Sequence, residues 1–175
     1  MKGLLFILFS LLIPTSILGQ PDSKRFPESY FGRYVGDLVI KSAMEDQFVP
    51  MEFHLFPTDS VGRYQYKLVY GMGDTRQERA YEMVALNAEN GQFEIDEKNG
   101  IILDCQVVDN KMYSLFEVQG NILTTFITFE EDHALFEIVF APKATARKTI
   151  TEDGESIQVS AYPISVVQTA KLIKE

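Results

Sequence analysis

The sequence predicts an all-β fold, a single antiparallel up-and-down β-barrel of eight to ten strands. The first observation is a meander in residues 92–140, where short runs of β-branched and aromatic residues are separated by small or polar turn formers. The second is that no long amphipathic helix pattern lies between the strands, which disfavours parallel βαβ units. The third is the number of sequential strands, about ten, whose edges are hidden completely only when the sheet closes. A β-sandwich is the alternative.

The first half of the chain contributes four strands to this prediction. The first is expected at residues 30–40, where Tyr34, Gly36 and Leu38 share one face. Three more are expected at residues 48–56, 63–70 and 77–86. Residues 63–70 show the clearest period of two, because tyrosine and leucine alternate there with charged and amide side chains.

The meander then supplies about five strands. It is interrupted at Asn99-Gly100, Asp109-Asn110, Gly120-Asn121 and residues 131–133. Asn99-Gly100 predicts a type I′ hairpin turn, whose two central residues both need a positive φ.

Beyond residue 140 the pattern predicts a short hairpin around residues 152–154 and a last strand near residues 167–173. In a closed barrel this last strand is expected to pair with the first.

Length and composition indicate one domain, residues 26–175, with enough apolar side chains for a core. The formal net charge is −9, from 16 lysine and arginine residues against 25 aspartate and glutamate residues. An acidic chain disfavours nucleic-acid binding, because that affinity depends on cationic contacts to phosphate. We therefore expect no nucleic-acid partner.

The N-terminus has the three-part layout of a secretory signal peptide over residues 1–20. Lys2 supplies the positive charge, an apolar run follows, and cleavage is expected near Gly19 or Gln20. The apolar run is short for a membrane span, and no other run of this kind follows. The sequence therefore predicts an exported protein, secreted or periplasmic, without a membrane span in the mature chain.

The first predicted strand carries Gly32-x-Tyr34, and the chain ends in a short strand containing Lys171. With the hairpin meander between them, this layout resembles the lipocalin-like (calycin) β-barrels. Those proteins usually open with Gly-x-Trp, often backed by a basic residue on the last strand. Here Tyr34 replaces the tryptophan, and Lys171 is the candidate equivalent of the basic residue. The resemblance implies a barrel whose interior holds a small apolar molecule.

Metal and cofactor chemistry is disfavoured. The histidines, His54 and His133, lie on different predicted elements, and zinc needs three or four ligands. The acidic turn before His133 has no glycine and no alternating spacing typical of calcium loops. Cys105 alternates with apolar residues, which predicts a buried side chain. We expect no metal and no cofactor.

Aromatic residues between positions 34 and 83 are the candidate ligand-binding site, because tyrosine combines an apolar body with a polar tip. The candidates are Tyr34, Phe53, Tyr64, Tyr66, Tyr70, Tyr81 and Met83. The alternative is that these side chains simply fill a small barrel.

The sequence favours a non-enzymatic exported barrel that binds a small apolar or amphipathic ligand. One alternative is a secreted interaction or inhibitor module that contacts a protein partner through residues 71–74 or 142–147. Another is a hydrolase or isomerase on the same scaffold. No Gly-x-Ser-x-Gly elbow and no phosphate-binding glycine loop occurs in the sequence, so neither catalytic motif supports an enzyme.

Overall fold

The computed structural model describes residues 25–152 and 154–175 of the chain. The predicted leader, residues 1–20, and one residue of the predicted hairpin tip, Asp153, lie outside the described residues. The strands are β1 (Gly32–Lys41), β2 (Gln47–Pro57), β3 (Arg63–Tyr70), β4 (Gln77–Asn87), β5 (Gln92–Asp96), β6 (Ile102–Val108), β7 (Lys111–Val118), β8 (Asn121–Phe129), β9 (His133–Pro142), β10 (Arg147–Ile150), β11 (Gln158–Ala161) and β12 (Val166–Lys174).

Ten of these strands form a closed antiparallel barrel in the order β1-β12-β9-β8-β7-β6-β5-β4-β3-β2. The last strand closes the ring against the first, and Tyr34 pairs with Lys174 in that register. The prediction of an up-and-down barrel is therefore confirmed, and the β-sandwich alternative is wrong. Single 3-10 turns at Glu28–Tyr30, Gly73–Thr75, Ala88–Asn90 and Lys143–Thr145 are the helical elements of the described residues.

The period of two decides which side chains fill the barrel. In β3, Tyr66 and Leu68 are buried while Arg63 is exposed. Val69 departs from this pattern, because it points outward but is only 1 % exposed.

The neighbouring strands explain the burial of Val69. It pairs with Glu52 on one side and Glu78 on the other. Arg76 bonds both of those carboxylates, so its side chain lies across the valine.

One end of the barrel is sealed by aromatic packing. The 3-10 turn Glu28–Tyr30 covers this end, and the Tyr30 ring lies 5.2 Å from that of Phe129. Phe26 approaches Phe93 and Phe129 at centroid distances of 5.2 and 5.6 Å. Tyr34 and Phe53 are both 0 % exposed beneath them. Aromatic burial of this kind contributes strongly to stability, and it leaves the opposite end as the open end.

Two local predictions are corrected by the structure. At Asn99-Gly100 the positive φ angles belong to Lys98 and Gly100 instead, within the loop of residues 97–101, so the type I′ prediction is wrong. The side chain of Asn99 accepts a hydrogen bond from the Ile101 backbone and shapes this longer loop. A two-residue turn with positive φ at both central residues occurs instead at Gln119-Gly120, between β7 and β8.

The basic residue beside Tyr34 is Lys174, and the suggestion of Lys171 is wrong. The Lys174 ammonium nitrogen lies 5.7 Å from the centre of the Tyr34 ring. Because Leu172 is 1 % exposed and points inward, alternation turns Lys174 inward and Lys171 outward.

The barrel wall is weakest between β6 and β7. Their ladder holds three residue pairs, from Gln106 with Tyr113 to Val108 with Lys111. The remainder of β6 pairs only with β5, and the remainder of β7 pairs only with β8.

The β10–β11 hairpin stands outside the barrel as a two-stranded sheet of its own, and all eight of its strand residues are exposed. We call it the arm. It confirms the predicted hairpin around residues 152–154, although residue 153 itself is not described.

Candidate functional site

The open end of the barrel contains a cavity of about 880 Å³. It lies among the starts of β4 and β6 and the ends of β1, β3 and β5, together with the turn Gly73–Thr75. Most of its wall is apolar, formed by Leu38, Ile40, Val49, Leu68, Ile95, Leu103, Phe116, Leu123, Phe136 and Ile138. The volume is typical of pockets that hold one small-molecule ligand.

The floor of the cavity is formed where the open end meets the packed end. Tyr66 is 4 % exposed and its ring lies 5.0 Å from that of Phe53, which belongs to the sealed half. Burial raises the pKa of Tyr66 well above 10, so its hydroxyl group stays neutral at physiological pH. Phe136, 1 % exposed, completes this floor from β9.

Polar groups gather at the mouth. Tyr70 on β3 and Tyr81 on β4 line the cavity, and Arg79, two residues before Tyr81, lines it with them. The Arg79 Nη1 atom donates a hydrogen bond to the Tyr81 hydroxyl at 3.3 Å, and the guanidinium carbon lies 5.9 Å from the centre of the Tyr70 ring. Burial raises the pKa of Tyr70 to about 12, so this hydroxyl is also neutral. Glu97 is the carboxylate among the described residues that lines the same cavity.

The structure separates the seven candidate residues into three groups. Three line the cavity, namely Tyr66, Tyr70 and Tyr81. Three fill the sealed half and are 0 % exposed, namely Tyr34, Phe53 and Met83. Tyr64 lies at the sealed end, where its ring is 5.9 Å from Phe31 and its hydroxyl is 3.4 Å from Glu28. The alternative that the aromatic row fills the barrel therefore holds for Tyr34, Phe53 and Met83. For Tyr66, Tyr70 and Tyr81, which line the cavity, ligand binding stays a prediction.

Sequence reasoning missed Arg79. Alternation places it on the same face of β4 as Tyr81 and Met83, so its inward direction was available from the sequence. Phe136 and Leu103 were also missed, because the candidate row ended at residue 83 although the strands of the meander form the opposite wall.

Cys105 is a core residue, as predicted. It is 5 % exposed on the inner face of β6. Burial raises the pKa of its thiol to about 12, although the Ser114 side chain and the Tyr113 backbone oppose this shift. Because the thiolate is the reactive form, the side chain is chemically quiet at neutral pH.

A charged network lies outside the barrel, on β1 and β2. Glu52 contacts Arg33 at 3.1 Å, His54 at 2.7 Å and Arg76 at 3.2 Å. The Arg33 guanidinium, followed by His54 and Arg76, lowers the pKa of Glu52 to about 2. His133 contacts Asp132 at 2.6 Å in a separate turn, so the two histidines are not brought together.

In the part of the chain that the structure describes, no three histidine, cysteine, aspartate or glutamate side chains are grouped so that they could hold a metal ion. Over the same residues there is no helix with the length and hydrophobicity needed to cross a membrane.

No known protein-family model matches the chain, and no curated protein matches its sequence. Among solved structures, the chain is similar to a protein of unknown function from the DUF3598 family of Nostoc punctiforme. The TM-score is 0.58 at 10 % sequence identity, and the match covers 90 % of this chain and 53 % of the other. The chain thus spans about half the length of that neighbour. At this identity the likeness shows a shared fold alone.

Proposed function

We propose that this protein is an exported, lipocalin-like carrier that binds one small amphipathic molecule in the cavity of about 880 Å³ at the open end of the barrel. The cavity is the observation that carries the proposal. Its walls are apolar and its mouth presents Arg79, Tyr70 and Tyr81. This separation of apolar and polar surface matches the two parts of an amphipathic ligand.

The sealed end supports a binding role over a channel. Phe93 and Phe129, 2 % and 1 % exposed, fill the barrel beneath the turn Glu28–Tyr30. A ligand that enters at the mouth therefore has one way in and out.

The resemblance to lipocalin-like barrels adds to this proposal. The Gly32-x-Tyr34 segment lies at the start of β1, and Tyr34 packs with Lys174 of the last strand at the sealed end. The signal-like residues 1–20 support export, and an exported carrier would meet its ligand outside the cytoplasm.

The test is binding of an apolar fluorescent dye to the purified protein, combined with mass spectrometry of any extracted ligand. Leu103→Trp should fill the cavity and weaken dye binding at least tenfold, because Leu103 points inward into the cavity. Ile102→Trp is the matched control, since Ile102, the neighbour of Leu103, is 50 % exposed and points outward. Equal dye affinity in both variants, or no binding by the unmodified protein, would contradict the proposal.

A second candidate function is suggested by the arm. Ile150 and Val159 are 61 % and 50 % exposed, and an isolated two-stranded hairpin is marginally stable in water. A protein partner that covers the arm would make this an interaction module. Replacement of residues 147–161 by a short glycine-serine linker should then abolish partner binding and leave dye affinity unchanged.

A further inference from the structure

The cavity has a mostly apolar wall and one cation, Arg79, at its mouth among the described residues. Arg79 lies near the start of β4, and its neighbours on the same face are Tyr81 and then Met83, deep in the core. The side chain therefore lies at the mouth of the barrel, beside Leu68, its cross-strand partner on β3.

The bonding of Arg79 differs from that of arginines on the outer surface. Arg33, Arg63 and Arg76 each form an ion pair with at least one glutamate. Within residues 25–152 and 154–175, no carboxylate forms an ion pair with Arg79. Its observed partners are neutral, a hydrogen bond to the Tyr81 hydroxyl and the face of the Tyr70 ring.

A guanidinium group has five N–H donors in a planar fork. In Arg79 the Nη1 atom donates to Tyr81, and the residue lines the cavity. The hydroxyl groups of Tyr70 and Tyr81, which line the same cavity, are further hydrogen-bonding groups near Arg79. This set suits an oxyanion, since planar bidentate pairing is the strongest arrangement arginine makes.

Glu97 also faces the mouth and acts in the opposite sense. The hydrogen bond to Tyr81 is the largest cause that raises the pKa of Arg79, and the charge of Glu97 raises it by a smaller amount. An anion bound at Arg79 would be repelled by Glu97, so removal of this carboxylate should strengthen anion binding.

We propose that the ligand is an anionic single-chain amphiphile, whose oxyanion headgroup binds Arg79 between Tyr70 and Tyr81 and whose chain lies along the apolar wall toward Tyr66 and Phe136. This inference rests on the proposed carrier function and specifies its ligand class. A carboxylate and a phosphate monoester share the required chemistry.

The experiment compares hexadecanoic acid, hexadecanol and hexadecyl phosphate as competitors of the bound dye. The unmodified protein should bind the acid, the phosphate or both about 10- to 100-fold more tightly than the alcohol, the range expected for charge-assisted hydrogen bonds. The ratio of acid to phosphate identifies which oxyanion the site prefers, and a preference for either one supports the proposal.

Arg79→Met should remove this preference and leave hexadecanol affinity within about twofold, because the apolar wall is intact. Arg76→Met is the matched control, since it removes the same charge near the mouth from a side chain bonded on the outer surface. It should keep the preference, and Glu97→Gln should increase it. Hexadecanol affinity also reports that each variant is folded.

Equal affinity of the unmodified protein for all three compounds would overturn the headgroup assignment and leave the carrier function standing. A preference that survives in Arg79→Met would do the same. Failure of every compound and of the dye to bind would overturn both proposals.

Discussion

The hydroxyl group of Tyr34 donates a hydrogen bond to the backbone carbonyl oxygen of Tyr30 at 2.5 Å, inside the sealed end of the barrel. Tyr34 is 0 % exposed, and burial raises its pKa to about 12, so the hydroxyl keeps its proton across the physiological range. The bond joins the first barrel strand to the turn that closes this end.

Tyr34→Phe should therefore destabilise the protein by about 1–2 kcal/mol, because it leaves the buried Tyr30 carbonyl without its donor. Urea unfolding followed by circular dichroism measures the change. Tyr113→Phe is the control, since Tyr113 lies on the outer face of β7 and is 37 % exposed. Equal stability of the two variants would show that the bond contributes nothing measurable.

Gly36→Ala tests the closure of the barrel. A Cβ atom at this position would lie 2.5 Å from the backbone oxygen of Lys171 on β12, which cannot move without disturbing the ladder. We expect a loss of about 1–3 kcal/mol, typical of overpacking. At Gly32 the nearest atom is the flexible end of the Lys174 side chain, so Gly32→Ala should cost less than about 0.5 kcal/mol. A reversed order in thermal unfolding would contradict the register of β1 and β12.

The Glu52 network predicts an acid-dependent contribution to stability. The folded-state pKa of about 2 lies below the ordinary value of 4.5, so the contribution is fully present above pH 4.5 and is lost as the pH falls through 2. Glu52→Gln should be less stable by about 1–2 kcal/mol at pH 7, and the difference should shrink as the pH falls from 4.5 to 2.

Unfolding free energies measured between pH 7 and pH 2 test this. Glu131→Gln provides the control, because Glu131 is exposed in the turn between β8 and β9. A Glu52→Gln penalty that is independent of pH would mean that the lost contribution is packing and not charge.

Cys105 should resist thiol reagents in the folded protein. Its side chain is 5 % exposed and its pKa is raised to about 12 by burial, so little thiolate is present at pH 8. Val61→Cys supplies an internal comparison, since residue 61 is fully exposed in the loop before β3. One thiol of this variant should react immediately and the second only on unfolding. Two fast thiols would place Cys105 at the surface.

The order of the strands and their inner faces were predictable because both follow from a local period of two. Residues 63–70 match β3 at both ends. The depth of a side chain along the barrel was not predictable in this way. Tyr64, Tyr66 and Tyr70 share one face in the sequence, yet Tyr64 lies at the sealed end while the other two line the cavity. Depth depends on how neighbouring strands are staggered, which no single strand encodes.

Arg79 illustrates the other limit. Its face was predictable from alternation with Tyr81, but a charged residue on an inner face matters only because the open end leaves space beside it. That space exists because aromatic rings around Phe129 fill the sealed end, whereas side chains such as Leu123 line the open end without filling it. This difference between the two ends involves strands that lie far apart in the sequence.

The short ladder between β6 and β7 borders the cavity. Leu103 and Phe116 line the cavity from the two strands, at positions where neither strand pairs with the other. Separation of Leu103 from Phe116 would break no ladder pair, whereas the other walls are fixed by longer ladders. On the proposed carrier function, ligands of different thickness would therefore fit at little cost in stability, and selectivity would depend on the headgroup more than on the chain.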